Sequence, residues 1–170
     1  AKFGRDKPLH FSASLAFEQN YGGVEGDSAT MAELAALISA ITELPIRQDL
    51  GITGSMNQMG EIQPIGGVNA KIEGYFAACQ LKGFTGTQGV IIPQQNVRHL
   101  MLRTEILQAV EQGLFRIYAV NHAEQALELL LGEPMGVANN KGKYPKNSII
   151  DRVLAQLKLW HKIDKGDKPK

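Results

Sequence analysis

The sequence predicts an α/β fold. Short apolar runs of strand character alternate with longer segments of helical periodicity, Gly- and Pro-rich turns separate them, and 170 residues suffice for one compact domain with a sizeable core.

Residues 9–18 (LHFSASLAFE) place Leu9, Phe11, Ala13, Leu15 and Phe17 on one side, the period of a strand. The Gly-rich run from Asn20 to Asp27 is a loop. A helix follows to about Glu43, with Leu34, Leu37, Ile38, Ile41 and Leu44 at helical spacing and mostly Ala or Ser elsewhere, as in a buried helix. Thr30 and Glu33 match a capping box, which sets the helix start within a few residues of Ser28. Beyond Pro45, residues 49–53 and 61–65 read as a strand pair across a turn-rich stretch. Residues 68–81 read as a helix with Val68, Ile72, Tyr75, Phe76 and Cys79 on one face. After a loop, GVIIP at 89–93 is a short buried strand ended by proline. A helix over 103–112 stopped by Gly113, a strand over 116–120 and a helix over 122–131 capped by Gly132 complete the series. These elements assign residues 1–132 to the domain and the Pro/Gly/Asn-rich residues 133–146 to a linker. Residues 147–162 follow as an amphipathic helix carrying Ile149, Ile150, Val153, Leu154, Leu157 and Trp160, and 163–170 as a disordered tail. No internal repeat is visible.

Composition narrows the class. Hydrophobic residues make up 44% and charged residues 21%, which is ordinary for a globular protein. No apolar run approaches the ~18 residues of a membrane span, and no signal-peptide pattern opens the chain. Ala1 in place of Met suggests a processed or excised piece. The single Cys79 fits a reducing, cytoplasmic setting and reads as buried filler rather than a reactive thiol. The net charge of +1 conceals a basic C-terminal segment. That segment suits a solvated docking helix better than a nucleic-acid contact, because only Tyr144 and Trp160 could stack on bases.

Several chemistries can be removed. There is no phosphate-binding G-x-x-x-x-G-K-[ST] run, so no ATP site is expected in this piece. His10, His99, His122 and His161 lack metal-ligand spacing, and no G-x-S-x-G elbow occurs. What remains is Glu25-Gly26-Asp27-Ser28-Ala29, followed by Pro64-Ile65-Gly66-Gly67-Val68-Asn69-Ala70-Lys71. Taken alone, each has a plain alternative: Asp27-Ser28 as a helix cap, and Lys71 as a surface lysine.

Together and in this order, the two segments resemble the serine and lysine motifs of the Lon protease domain. Gly51-Ile52-Thr53-Gly54 resembles that family's threonine-bearing strand, and Gly89-Val90-Ile91-Ile92-Pro93 its later strand. The similarity covers roughly residues 9–132, and the Glu-Gly-Asp-Ser form is closer to the Lon-B or Lon-related branch. The resemblance implies a Lon-type proteolytic domain with a mixed sheet and packed helices, acting as a serine endopeptidase on unfolded or damaged proteins. It implies Ser28 as nucleophile, Lys71 as base and Thr53 as the hydroxyl holding the lysine, with Asp27 and Gly26 in support and no cofactor in the domain. Six-subunit rings and an ATP-driven unfolding module, in cis or in trans, are the partners implied. The rival reading is a non-proteolytic Lon-like module serving assembly or nucleic-acid binding.

The chemistry of such a pair is general. A serine hydroxyl needs an adjacent base, and lysine can act as one only when neutral. Its ordinary value near ~10.4 must then be brought close to neutrality, a differential interaction of about 4 kcal/mol. Desolvation in a partly dry cleft beside Val68 and Tyr75 is the expected cause. The Gly-rich loop and helix start suit an oxyanion hole built on the Ser28 amide. Asp27 is awkward, since a carboxylate beside the lysine disables it. It either points away to cap the helix or clamps Lys71 in a resting state. His10 suits a core or cleft-wall role, Gly66-Gly67 a tight helix entry, and Glu25 the shaping of the loop.

Overall fold

The computed structural model describes residues 3, 9, 11–17, 22 and 26–164. Its elements are α1 (Thr30–Thr42), β1 (Leu50–Ile52), β2 (Ser55–Met56), β3 (Ile62–Gln63), α2 (Val68–Lys82), β4 (Gly89–Pro93), a 3-10 helix (Gln94–His99), α3 (Thr104–Glu111), β5 (Arg116–Val120), α4 (Ala123–Leu131) and α5 (Ile149–Asp164). The chain is α/β as predicted. The parallel and antiparallel ladders lie in two separate sheets, β1-β4-β5 and β2-β3.

The described residues divide into two compact units, one of residues 26–32 and 47–126, the other of residues 33–46 and 127–164 with the described residues before 26. In the first unit β4 is the central strand. It pairs in parallel with β1 (Leu50 opposite Gly89, Ile52 opposite Ile91) and with β5 (Val90 opposite Ile117, Pro93 opposite Val120). All five β4 residues are buried, which is why GVIIP reads as a continuous apolar run rather than an alternating one. Parallel strands require helical crossovers, and α2 and α3 supply them. Val68, Ile72, Phe76 and Cys79 of α2 pack with Val90, Ile92, Ile106, Ala109 and Phe115 in one apolar cluster. The i, i+4, i+8, i+11 spacing predicted for this face is the face buried.

In the second unit, Ile149, Ile150 and Val153 bury the first turns of α5. Phe11 stacks against Trp160 of that helix at 5.5 Å.

Three expectations change. The alternation over residues 9–18 forms no strand in the described part: Leu9, Leu15 and Phe17 stand about half exposed. Alternation sorts side chains onto two faces, but a strand also needs a neighbouring backbone, and no described segment offers one here. His10, Glu18 and Glu25 lie outside the described residues. Residues 49–53 do not pair with 61–65. Ile62–Gln63 pairs instead with Ser55–Met56, closing a hairpin whose turn is held by the Asn57 side chain, which accepts from the amides of Met59 (2.9 Å) and Glu61 (3.1 Å). Finally, the C-terminal helix continues through Ile163 and Asp164, into the stretch expected to be disordered.

Candidate functional site

Ser28 sits in the turn that leads into α1. Its carbonyl is gripped from two directions, by the Gly54 amide at 2.9 Å and the Thr53 hydroxyl at 3.3 Å, while the Met31 amide donates to Gly54 O at 3.2 Å. The Thr53 amide extends the β1–β4 ladder by donating to Ile91 O at 3.1 Å. The end of a central-sheet strand therefore fixes the position of the loop carrying Ser28. Gly26 precedes it at φ 80 with open space around the position of a Cβ, so glycine is needed there for conformation and not for room.

Lys71 enters from the first turn of α2, whose start is Gly67 at φ 67. Two asparagines fix that start. Asn96 is 3% exposed and spans the Ile65 backbone, accepting from its amide and donating to its carbonyl at 2.9 Å each. Asn69 donates to His99 O at 3.0 Å and accepts from the Met101 amide at 2.9 Å. The result is a contact between two residues far apart in sequence: Lys71 Nζ lies 2.8 Å from Ser28 Oγ and 3.3 Å from Thr53 Oγ1. The Thr53 hydroxyl accepts from the amine while donating its own proton to Ser28 O, so both sides of it are used.

The Ser28–Lys71 pair opens on a cleft of about 300 Å³ walled by Ala29, Ala32, Gly51, Ile52, Tyr75 and Val90. A side chain at Gly51 would meet the Tyr75 ring at 3.1 Å, so the glycine lets that ring lie against β1. Burial, then neighbouring Cys79, pushes the Tyr75 phenol up to about 12, and it stays neutral across the physiological range. Burial also raises the Cys79 thiol, in keeping with its expected role as core filler.

Three local expectations are corrected. Lys71 lines the cleft but remains exposed. The dry environment anticipated for its amine is not present in the chain alone. Asp27 points away from Lys71, as the first of the two alternatives had it, but its carboxylate does not cap α1. Its carboxylate accepts a hydrogen bond from Ser55 Oγ at 2.6 Å, and no ion pair joins it to Lys71 among the described residues. The Thr30 hydroxyl, expected to cap α1, turns back to donate to Asp27 O at 2.6 Å. Ser55 and Asn96 were not legible as site residues, since only the tertiary pairing of β3, the 3-10 helix and the serine loop brings them there. Among the described residues no group of His, Cys, Asp or Glu is placed to hold a metal, and no helix is long and apolar enough to cross a membrane.

A serine–lysine contact at the end of a parallel-sheet strand, with a threonine between, defines the type of site. Comparison with known proteins identifies the family. Residues 6–133 match the model of the Lon protease (S16) C-terminal proteolytic domain, and the chain belongs to that family. It is 57% identical over 126 residues to a putative Lon protease homolog of Escherichia coli, covering 74% of this chain and 22% of that protein. A putative Lon protease homolog of Haemophilus influenzae is 46% identical over 146 residues (86% and 24%), and an archaeal Lon protease of Thermococcus kodakarensis 39% over 150 (88% and 20%). The chain thus spans a quarter or less of the length of these relatives.

Proposed function

We propose that this domain is a serine endopeptidase in which Ser28 is the nucleophile and Lys71 the general base. The single observation that carries the reading is the 2.8 Å approach of Lys71 Nζ to Ser28 Oγ, within reach for direct proton transfer. In the reactive state the uncharged amine takes the Ser28 proton as Oγ attacks the peptide carbonyl. The resulting ammonium returns that proton to the departing amine, leaving an acyl-enzyme. Lys71 then draws a proton from water as it attacks the ester, and passes that proton to Ser28 Oγ as the acid product leaves, restoring the hydroxyl and the neutral amine. Ser–Lys pairs support this sequence without histidine. The Ser28 amide, at a helix start where the first N–H groups lack carbonyl partners within the helix, serves the oxyanion together with a neighbouring amide. Thr53 orients the amine.

Lys71 stands exposed in the cleft, and the substrate supplies its cover, the extended backbone burying the amine as it fills the cleft. A shallow, open cleft suits unfolded polypeptide rather than a folded surface. Coupling to an ATP-driven unfolding module and assembly into a ring belong to the same proposal, and the domain's own chemistry requires no cofactor.

The test pairs labelling by a fluorophosphonate probe with cleavage of an unstructured fluorogenic peptide. Ser28→Ala abolishes both, and Lys71→Ala lowers turnover by on the order of a thousandfold. Peptide cleavage that survives Ser28→Ala overturns the assignment.

A further inference from the structure

Ser55 is an almost fully buried hydroxyl, 3% exposed, whose Oγ lies 2.6 Å from Asp27 Oδ2 and 3.2 Å from Gln63 Oε1. A hydroxyl has one proton to give. The shorter, charge-assisted bond to the carboxylate takes it. Rotating the Gln63 amide by half a turn would set its NH₂ as donor to Ser55, completing a relay from Gln63 through Ser55 to Asp27.

Asp27 needs such a partner because of its position. It immediately precedes Ser28, whose Oγ is already in contact with Lys71 Nζ. Adjacent Cα atoms are about 3.8 Å apart, so the carboxylate belongs to the residue next to the dyad, and its side-chain torsions decide whether it faces the amine or turns from it. A carboxylate on Lys71 would hold it as ammonium, compete with Ser28 and remove the base.

Resting on the dyad reading, we propose that Ser55 is a positioning residue: its buried hydroxyl ties down the Asp27 carboxylate and so leaves Lys71 to Ser28. The β2–β3 hairpin is the brace for this tie. Ser55 opens β2 opposite Gln63 on β3, and the hairpin is anchored in turn to the start of α4. The Ile62 amide donates to Asn121 O at 2.9 Å, the Ala123 amide donates to Gly60 O at 2.8 Å, and His122 Nε2 lies 3.1 Å from Met59 O. The brace is thus built from two backbone bonds and the His122 ring.

A double-mutant cycle in the full chain tests this, with steady-state cleavage of an unstructured peptide as readout. Ser55→Ala lowers kcat by about tenfold or more with KM within twofold, since each tenfold gain in the amine's proton affinity removes a tenfold share of the free base. In an Asp27→Asn background the same Ser55→Ala change costs less than twofold, and Ser55→Thr, which keeps the hydroxyl, retains most of the rate. Equal losses in both backgrounds overturn the proposal, because a merely structural role for Ser55 is indifferent to the charge at position 27. If Ser55→Ala does not fold, Ser55→Cys, close in shape and a weak donor, takes its place in the cycle under the same criteria. Ser28→Ala runs alongside. If it abolishes cleavage while the cycle shows equal losses, the Ser55 role fails and the dyad stands. If it leaves cleavage intact, the dyad reading itself falls.

Discussion

Replacing Thr53 by valine is the most direct probe of how the lysine is held. The change exchanges one hydroxyl for a methyl and keeps the β-branched shape suited to a strand end. Two hydrogen bonds are lost, one accepted from Lys71 Nζ and one donated to Ser28 O, each at 3.3 Å and so longer than the usual optimum. At roughly 0.5–1 kcal/mol apiece they sum to about 1–2 kcal/mol, or about 5- to 30-fold in kcat. The fold should lose less. Ser28 O keeps the Gly54 amide at 2.9 Å, so no buried acceptor is orphaned, and unfolding free energy should fall by no more than about 1 kcal/mol. The assay is peptide turnover beside urea denaturation, with Thr53→Ser as the variant expected to restore the rate. Turnover unchanged within twofold would show that Thr53 does not hold the amine. A loss beyond about a thousandfold at unchanged stability would mean that it does more than orient.

Further outcomes follow from the same geometry. Asn96→Leu strands the amide and carbonyl of Ile65 and should cost about 2 kcal/mol of stability by chemical denaturation, with a fall in kcat because the entry to the Lys71 helix loosens. Gly89→Ala forces a Cβ to within 2.6 Å of Arg116 O across the β4–β5 ladder and should destabilise the fold by about 1–3 kcal/mol, whereas Gly51→Ala meets only the Tyr75 ring at 3.1 Å and should cost less. Tyr75 carries a pH signature. Its folded-state value lies above that of the unfolded chain, so its contribution is complete below about pH 10 and is lost as pH rises toward 12. Melting temperature should fall over that window, and Tyr75→Phe should make the fall shallower.

Much of this was readable before any coordinates. Helices α2, α3 and α4 appear within a residue or two of their predicted bounds because each carries its own apolar face and a glycine stop, which are local properties of the chain. β4 was legible because a strand buried throughout must be apolar throughout. The pairing of 49–53 with 61–65 failed because a strand of three residues holds no record of its partner. Leu50–Ile52 joined β4 across α2, and two residues at 55–56 that carry no strand pattern of their own closed the hairpin instead.

The functional residues divide in the same way. The order Ser28, Thr53, Lys71 and the proposed roles of nucleophile, holder and base came from motif resemblance, and the residue types are chemically able to fill them. The sequence could not say where their charges and solvent would stand. The withdrawal of Asp27 onto Ser55, the grip of Asn96 on the loop before α2 and the exposure of Lys71 are set by segments remote in sequence and joined only when the sheet closes. Chemical capacity is a property of the residue, while hydration and hydrogen-bond partners are properties of the packed neighbourhood, and that neighbourhood exists only once the chain has folded.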